Sequence, residues 1–145
     1  MTKAVIMAVV DEHDDLQVTS RMLRNRYGSD YDVICDPDWT HALDQLRALC
    51  DAGQQVAMVL ADQWMPEMTG TEFLTLTRQS APHARRVLLF ERDDPAATEP
   101  RFQAMALGQI DYYVLKPLGE PDEVFHQVIT ALLAEWCADH QSAFE

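Results

Sequence analysis

The sequence predicts an α/β domain in which a parallel sheet is covered by helices on both faces. Three observations carry that reading. Five short apolar runs recur along the 145 residues, amphipathic stretches alternate with them, and most runs stop abruptly at charged residues or a proline. A strand covered on both faces reads as a nearly unbroken apolar run, and regular alternation of such strands with helices implies right-handed βαβ units. A chain of 145 residues matches one domain, 1–145, with a core from about 4 to 137. With 48% hydrophobic residues it can fold on aliphatic packing, without disulfides or a structural metal.

The first run, Ala4 to Val10 (AVIMAVV), ends at Asp11-Glu12-His13-Asp14-Asp15, after which Leu16, Val18, Met22 and Leu23 fall near helical spacing. Asp14 or Asp15 is the expected N-cap of this first helix and Tyr27-Gly28 its stop. Tyr31 to Cys35 is the second strand. Asp38 then opens a second helix with an apolar stripe of Trp39, Ala42, Leu43, Leu46 and Leu49, closed by Asp51-Ala52-Gly53. Val56 to Ala61 is the third strand, followed by Asp62-Gln63-Trp64-Met65-Pro66, where the proline cannot continue a sheet ladder. A loop through Gly70 leads to a third helix, Thr71 to Gln79. Arg86 to Phe90 is the fourth strand, and the polar stretch Glu91 to Pro100 is a loop or the start of a fourth helix. Tyr112 to Leu115 is the fifth strand, ended by Lys116-Pro117. Glu120 to Cys137 is a fifth helix with Val124, Phe125, Val128, Ile129, Leu132, Leu133 and Trp136 on one face.

Charge narrows the function. The 24 acidic and 11 basic residues give a formal charge of −13, which argues against binding nucleic acid or an anionic membrane surface, since both need clustered Lys and Arg. Cys35, Cys50 and Cys137 have no CxxC spacing, so neither a zinc site nor a disulfide framework is indicated. The apolar start is too short for a signal peptide, and no run approaches a membrane span. A cytoplasmic protein is expected.

In parallel sheets of this kind, ligands bind beyond the carboxyl ends of the strands, where the strand order switches. Those positions hold Asp11 and Glu12, Asp62, Phe90 and Glu91, and Lys116. Carboxylates held close together repel one another, and a hard cation such as Mg²⁺ relieves the cost, so a Mg²⁺ site on Asp11 and Asp62 is expected. Lys116 then pairs with Asp62 or with a phosphoryl group placed on it. Asp14 and Asp15 are assigned to a cap and a solvated face rather than to the site. His13, His41, His83, His126 and His140 show no ligand spacing and are assigned surface or capping roles. Met65 and Met68 are assigned to packing.

Asp11 at the end of strand one, LADQWMP around Asp62, Gly70 opening helix three, and YYVLKP ending strand five together resemble the receiver domain of two-component response regulators, the CheY-like superfamily. The resemblance covers Ala4 to about Trp136. It implies a flavodoxin-like (βα)5 doubly wound sheet of order 2-1-3-4-5. It also implies Asp62 as phosphoacceptor, Lys116 as counter-charge to the phosphoryl group, and Mg²⁺ held by Asp11, Asp62 and the backbone carbonyl of Trp64. Tyr113, three residues before Lys116, matches an aromatic that swings inward in receivers, though packing explains it equally well.

Two positions depart from the family pattern. Val10 stands where receivers place the first of two adjacent acids, with Asp11 at the second. Glu12 substitutes only if the chain shifts by one residue, against the alternation of a strand. Phe90 and Glu91 replace the usual Thr or Ser and the small residue after it, so a hydroxyl donor to the phosphoryl group is lost.

Three functions follow. The first is a phosphoacceptor receiver, served by a histidine kinase or phosphotransfer protein, with no enzyme activity beyond self-phosphorylation and self-dephosphorylation at Asp62. Its output would be a partner protein or a domain outside this chain, reached through helix four, strand five and helix five, a face also suited to a homodimer. The second is a degenerate receiver acting as a phosphorylation-independent interaction or dimerisation module, favoured by Val10, Phe90 and Glu91. The third, a metal-dependent phosphatase, needs an acid two residues after the nucleophile, and Trp64 stands there.

Overall fold

The structure is a computed structural model and describes residues 3–91, 103, 105, 107–117 and 122–142. In chain order the elements are β1 (Ala4–Val9), α1 (His13–Tyr27), β2 (Tyr31–Asp36), α2 (Trp39–Asp51) and β3 (Val56–Asp62). There follow β4 (Trp64–Met65), β5 (Met68–Thr69), α3 (Gly70–Ser80), β6 (Arg85–Phe90), β7 (Tyr112–Leu115) and a last helix, α4 (Glu123–Ser142). Most of the fourth helix expected between Glu91 and Tyr112 lies outside the described residues, as does the expected start of the last helix at Glu120. No described helix is long and apolar enough to cross a membrane.

Five strands pair in parallel in the order β2-β1-β3-β6-β7, which in order of occurrence is 2-1-3-4-5. Side chains leave a strand on alternate faces, so the sheet divides its apolar residues between two cores. Met7, Val9, Val59, Ala61, Leu88 and Phe90 pack with α2 and α3. Ile6, Ala8, Met58, Leu60, Leu89 and Val114 pack with α1 and α4. A doubly wound flavodoxin-like fold results.

Local chemistry sets most helix starts. Asp38 caps α2 by accepting from the Thr40 N–H at 2.9 Å, and Thr69 caps α3 by accepting from the Glu72 N–H at 3.2 Å. The Asp122 carboxylate accepts from the Phe125 N–H at 3.1 Å. On α4, Phe125, Ile129, Leu132, Leu133 and Trp136 turn inward as the helical period requires. Val124, expected on that face, is 70% exposed because it sits about a hundred degrees of helix away from Phe125. His126, expected at the surface, is buried, and its Nδ1 lies 3.1 Å from the Tyr27 hydroxyl, which also lies 2.9 Å from Thr130 Oγ1. These contacts tie α1 to α4.

The segment after Asp62 holds more structure than the expected loop. β4 and β5 pair antiparallel across Pro66 and Glu67, and Glu67 has a φ of 66°. Proline fixes the first turn position and the second takes positive φ, a combination suited to a type II turn. Beyond it, Gln63 is buried and its Oε1 accepts from Thr71 Oγ1 at 3.1 Å, while its carbonyl accepts from the Gly70 N–H at 2.9 Å. An ideal Cβ at Gly70 would lie 2.5 Å from the Asp62 carbonyl oxygen and 2.7 Å from Leu88 Cδ1. Only glycine lets α3 start this close to the end of β3. Gly70→Ala is therefore expected to destabilise by about 1–3 kcal/mol, the usual cost of overpacking, read as a lower unfolding midpoint in denaturant.

Candidate functional site

Sheet alternation assembles the site. Asp62, Glu91 and Lys116 each stand two residues beyond a side chain of the α1/α4 core, namely Leu60, Leu89 and Val114. All three therefore emerge on the face that α1 covers, at neighbouring strand ends. The backbone fixes the last pair, since the Lys116 N–H donates to the Phe90 carbonyl at 2.7 Å.

Lys116 is the centre of the cluster. Its buried Nζ lies 2.8 Å from Asp62 Oδ2, 3.2 Å from Asp15 Oδ2 and 3.4 Å from Glu91 Oε1. Burial alone would lower its pKa, but the bonds to Asp62 and Asp15 outweigh that and raise it, so the ammonium form is held. Asp62 is buried as well, and burial raises its pKa, with the charge of Glu91 adding to the rise. Lys116 and the Trp64 N–H, 3.4 Å from Asp62 Oδ1, offset only part of it. The site thus keeps a reactive carboxylate in a poorly solvated place beside a fixed cation.

Two expectations at the first helix are overturned. Neither Asp14 nor Asp15 is the N-cap: the helix begins at His13, and Glu12, still extended with φ −79° and ψ 129°, accepts from the Asp15 N–H at 2.8 Å. Those backbone donors lower the Glu12 pKa, and its carboxylate serves the helix start. Asp15, expected on a solvated face, instead bonds Lys116. Its position two helical turns before buried Met22 places it at the inward stripe of α1, and that spacing to an apolar residue was the available signal.

Phe90 and Tyr113 sit apart from the charged cluster. Phe90 is fully buried in the α2/α3 core, and Tyr113 packs against the same core with the rings edge to face, centroids 6.1 Å apart. Tyr113 also stacks on Tyr112 at 5.4 Å. Glu91, by contrast, is turned to Lys116.

Among the described residues no three His, Cys, Asp or Glu side chains group to hold a metal ion. Mg²⁺ needs less, because it binds through one or two carboxylates and keeps its waters. Asp11 is exposed two residues past the end of β1, and the contact of Lys116 with Asp62 is to Oδ2. Two carboxylates and the Trp64 carbonyl are hard oxygen donors of the type Mg²⁺ accepts, and on that chemistry the residues fit the ion.

No protein-family model and no curated protein sequence matches the chain. Solved structures do. The signal receiver domain of an HD domain-containing protein from Pseudomonas fluorescens Pf-5 is 23% identical, with a TM-score of 0.74 over 97% of this chain and 94% of that one. A CheY-like response regulator receiver domain protein from Methanospirillum hungatei JF-1 is 20% identical, with a TM-score of 0.73 over 95% of this chain and 99% of that one. The chain has the receiver-domain fold. An uncharacterised protein from Neptuniibacter caesariensis is 30% identical, with a TM-score of 0.74 over 97% of this chain and 96% of that one. Within the receiver fold, Asp62 and Lys116 occupy the strand ends where the sequence motifs placed them.

Proposed function

We propose that this chain is a phosphoacceptor receiver in which Asp62 takes a phosphoryl group from a histidine kinase or phosphotransfer protein and Lys116 holds the product. The observation that carries the reading is a buried Asp62 at the end of β3 with Lys116 Nζ at 2.8 Å. An oxygen of the Asp62 carboxylate attacks phosphorus, the new O–P bond forms, and the donor's bond to phosphorus breaks with its electron pair left on the donor. The Lys116 ammonium lies where negative charge gathers on the phosphoryl oxygens. Mg²⁺ held by Asp11, Asp62 and the Trp64 carbonyl would supply further charge neutralisation there. The chemistry is confined to the protein's own aspartate, so the chain acts as a signalling module and not on a separate substrate.

The weak metal site gives a direct check. Trp64 is 48% exposed and two residues from Asp62, so Mg²⁺ is expected to change its fluorescence, with affinity in the millimolar range, equivalent to about 4 kcal/mol. The change should vanish in Asp62→Asn and in Trp64→Phe. A signal that persists in Asp62→Asn places the ion elsewhere.

A second reading has its own observation. Phe90 offers no donor, and its buried ring leaves the strand-four end without a hydroxyl to follow phosphorylation. That favours a module that binds its partner, or a second copy, regardless of phosphorylation. The face would be the groove of about 370 Å³ between β7 and α4, bordered by Tyr112 and the exposed Val124. Intact mass measurement after incubation with acetyl phosphate and Mg²⁺ decides between the two. One added phosphoryl group, absent in Asp62→Asn, is expected; no adduct, with Mg²⁺ bound, selects the interaction module.

A further inference from the structure

We propose that Glu91 is an electrostatic gate on Lys116, which a phosphoryl group on Asp62 must displace. The inference rests on the phosphoacceptor reading and names a regulator of that same site. An ammonium has three N–H donors, and Lys116 faces three carboxylates, from Asp62, Asp15 and Glu91. At rest no donor is left for an incoming phosphoryl oxygen. No other lysine lies near, since the chain has only Lys3 and Lys116.

The three partners are not equally held. The Asp62 side chain is 6% exposed and its contact is 2.8 Å; Asp15 is 33% exposed at 3.2 Å; Glu91 is 65% exposed at 3.4 Å. Phosphorylation adds negative charge and acceptor oxygens beside Lys116, so the partner that leaves is the one with the longest contact and the readiest access to water. That partner is Glu91. The strand end just before it is tied to Lys116, whose N–H donates to the Phe90 carbonyl, so displacement need move no more than the Glu91 side chain. In a chain whose Phe90 cannot follow the phosphoryl group, release of a carboxylate supplies a signal that repulsion drives.

The test measures phosphoryl uptake from acetyl phosphate with Mg²⁺, by intact mass, in the full chain and in Glu91→Gln, with Asp14→Asn as a control. Asp14 is exposed beside the site, so that control removes the same charge without touching Lys116. At low salt Glu91→Gln is expected to take up phosphoryl roughly two- to fivefold faster, the range for an exposed ion pair. The gap should close as salt screens the pair, and the unfolding midpoint should stay unchanged. Uptake by Glu91→Gln alone, with none in the parent chain, would mean a block that phosphorylation does not displace and would overturn the gate. Equal rates in the parent and Glu91→Gln, or an equal acceleration by Asp14→Asn, overturn the gate while leaving the phosphoacceptor reading in place. No adduct in any chain removes that reading, and the gate with it.

Discussion

Replacing Lys116 with methionine is expected to lower stability at neutral pH by about 3 kcal/mol, the low end for breaking a buried ion pair. Of its three partners, Asp15 and Glu91 can turn to water, but the Asp62 carboxylate stays buried without its counter-charge. The sign of the pH dependence follows from the raised Asp62 pKa. A group whose pKa is raised in the folded state favours folding when protonated and loses that benefit as pH rises through the folded value. The deficit of Lys116→Met should therefore be small in acid and grow through the carboxylate range. In the parent chain the raised Lys116 pKa works at the other end: its contribution is complete below the ordinary lysine range and fades as pH passes the folded value. The double variant Lys116→Met with Asp62→Asn should recover most of the loss. Denaturant unfolding of the parent chain, the two single variants Lys116→Met and Asp62→Asn, and the double variant between acid and neutral pH checks this, and a double variant no better than Lys116→Met would show that packing, not charge, sets the cost.

Phe90→Ala should cost about 3–5 kcal/mol, as for other buried aromatics cut to alanine, because the ring is 1% exposed and packs edge to face with Tyr113. The same packing explains why Phe90 should keep Tyr113 still. A phosphate mimic on Asp62 is expected to leave the Tyr113 amide resonance almost unshifted in the parent chain, whereas Phe90→Thr with Glu91→Ala should restore a shift at a cost in stability. A large Tyr113 shift in the parent chain would mean that the aromatic pair moves despite its burial.

Much of this was legible in the sequence because strands buried on both faces announce themselves. The apolar runs located all five strands, and the residue after each run located Asp62 and Lys116. Asp15 was not legible in the same way, since an acid in the first helical turn suits a cap or the helix dipole equally well. The cap at Glu12 is hidden in the sequence because glutamate is not among the preferred caps, yet its longer side chain reaches the Asp15 N–H once His13 starts the helix. Phe90 and Glu91 looked like one altered switch. Alternation sends them to opposite faces, the first into the α2/α3 core and the second to Lys116. The β4–β5 hairpin depends on a positive φ at Glu67, a conformation that glutamate does not advertise.

Reductive trapping of the phosphorylated chain tests the central claim most directly. Borohydride converts an aspartyl phosphate to homoserine, and peptide mass mapping then locates the residue within the arginine-bounded segment 48–78, which holds both Asp51 and Asp62. Asp62 as phosphoacceptor predicts homoserine at position 62 alone, and none in Asp62→Asn. Homoserine at Asp51, Asp11 or another position, or no converted residue in any peptide, would contradict it.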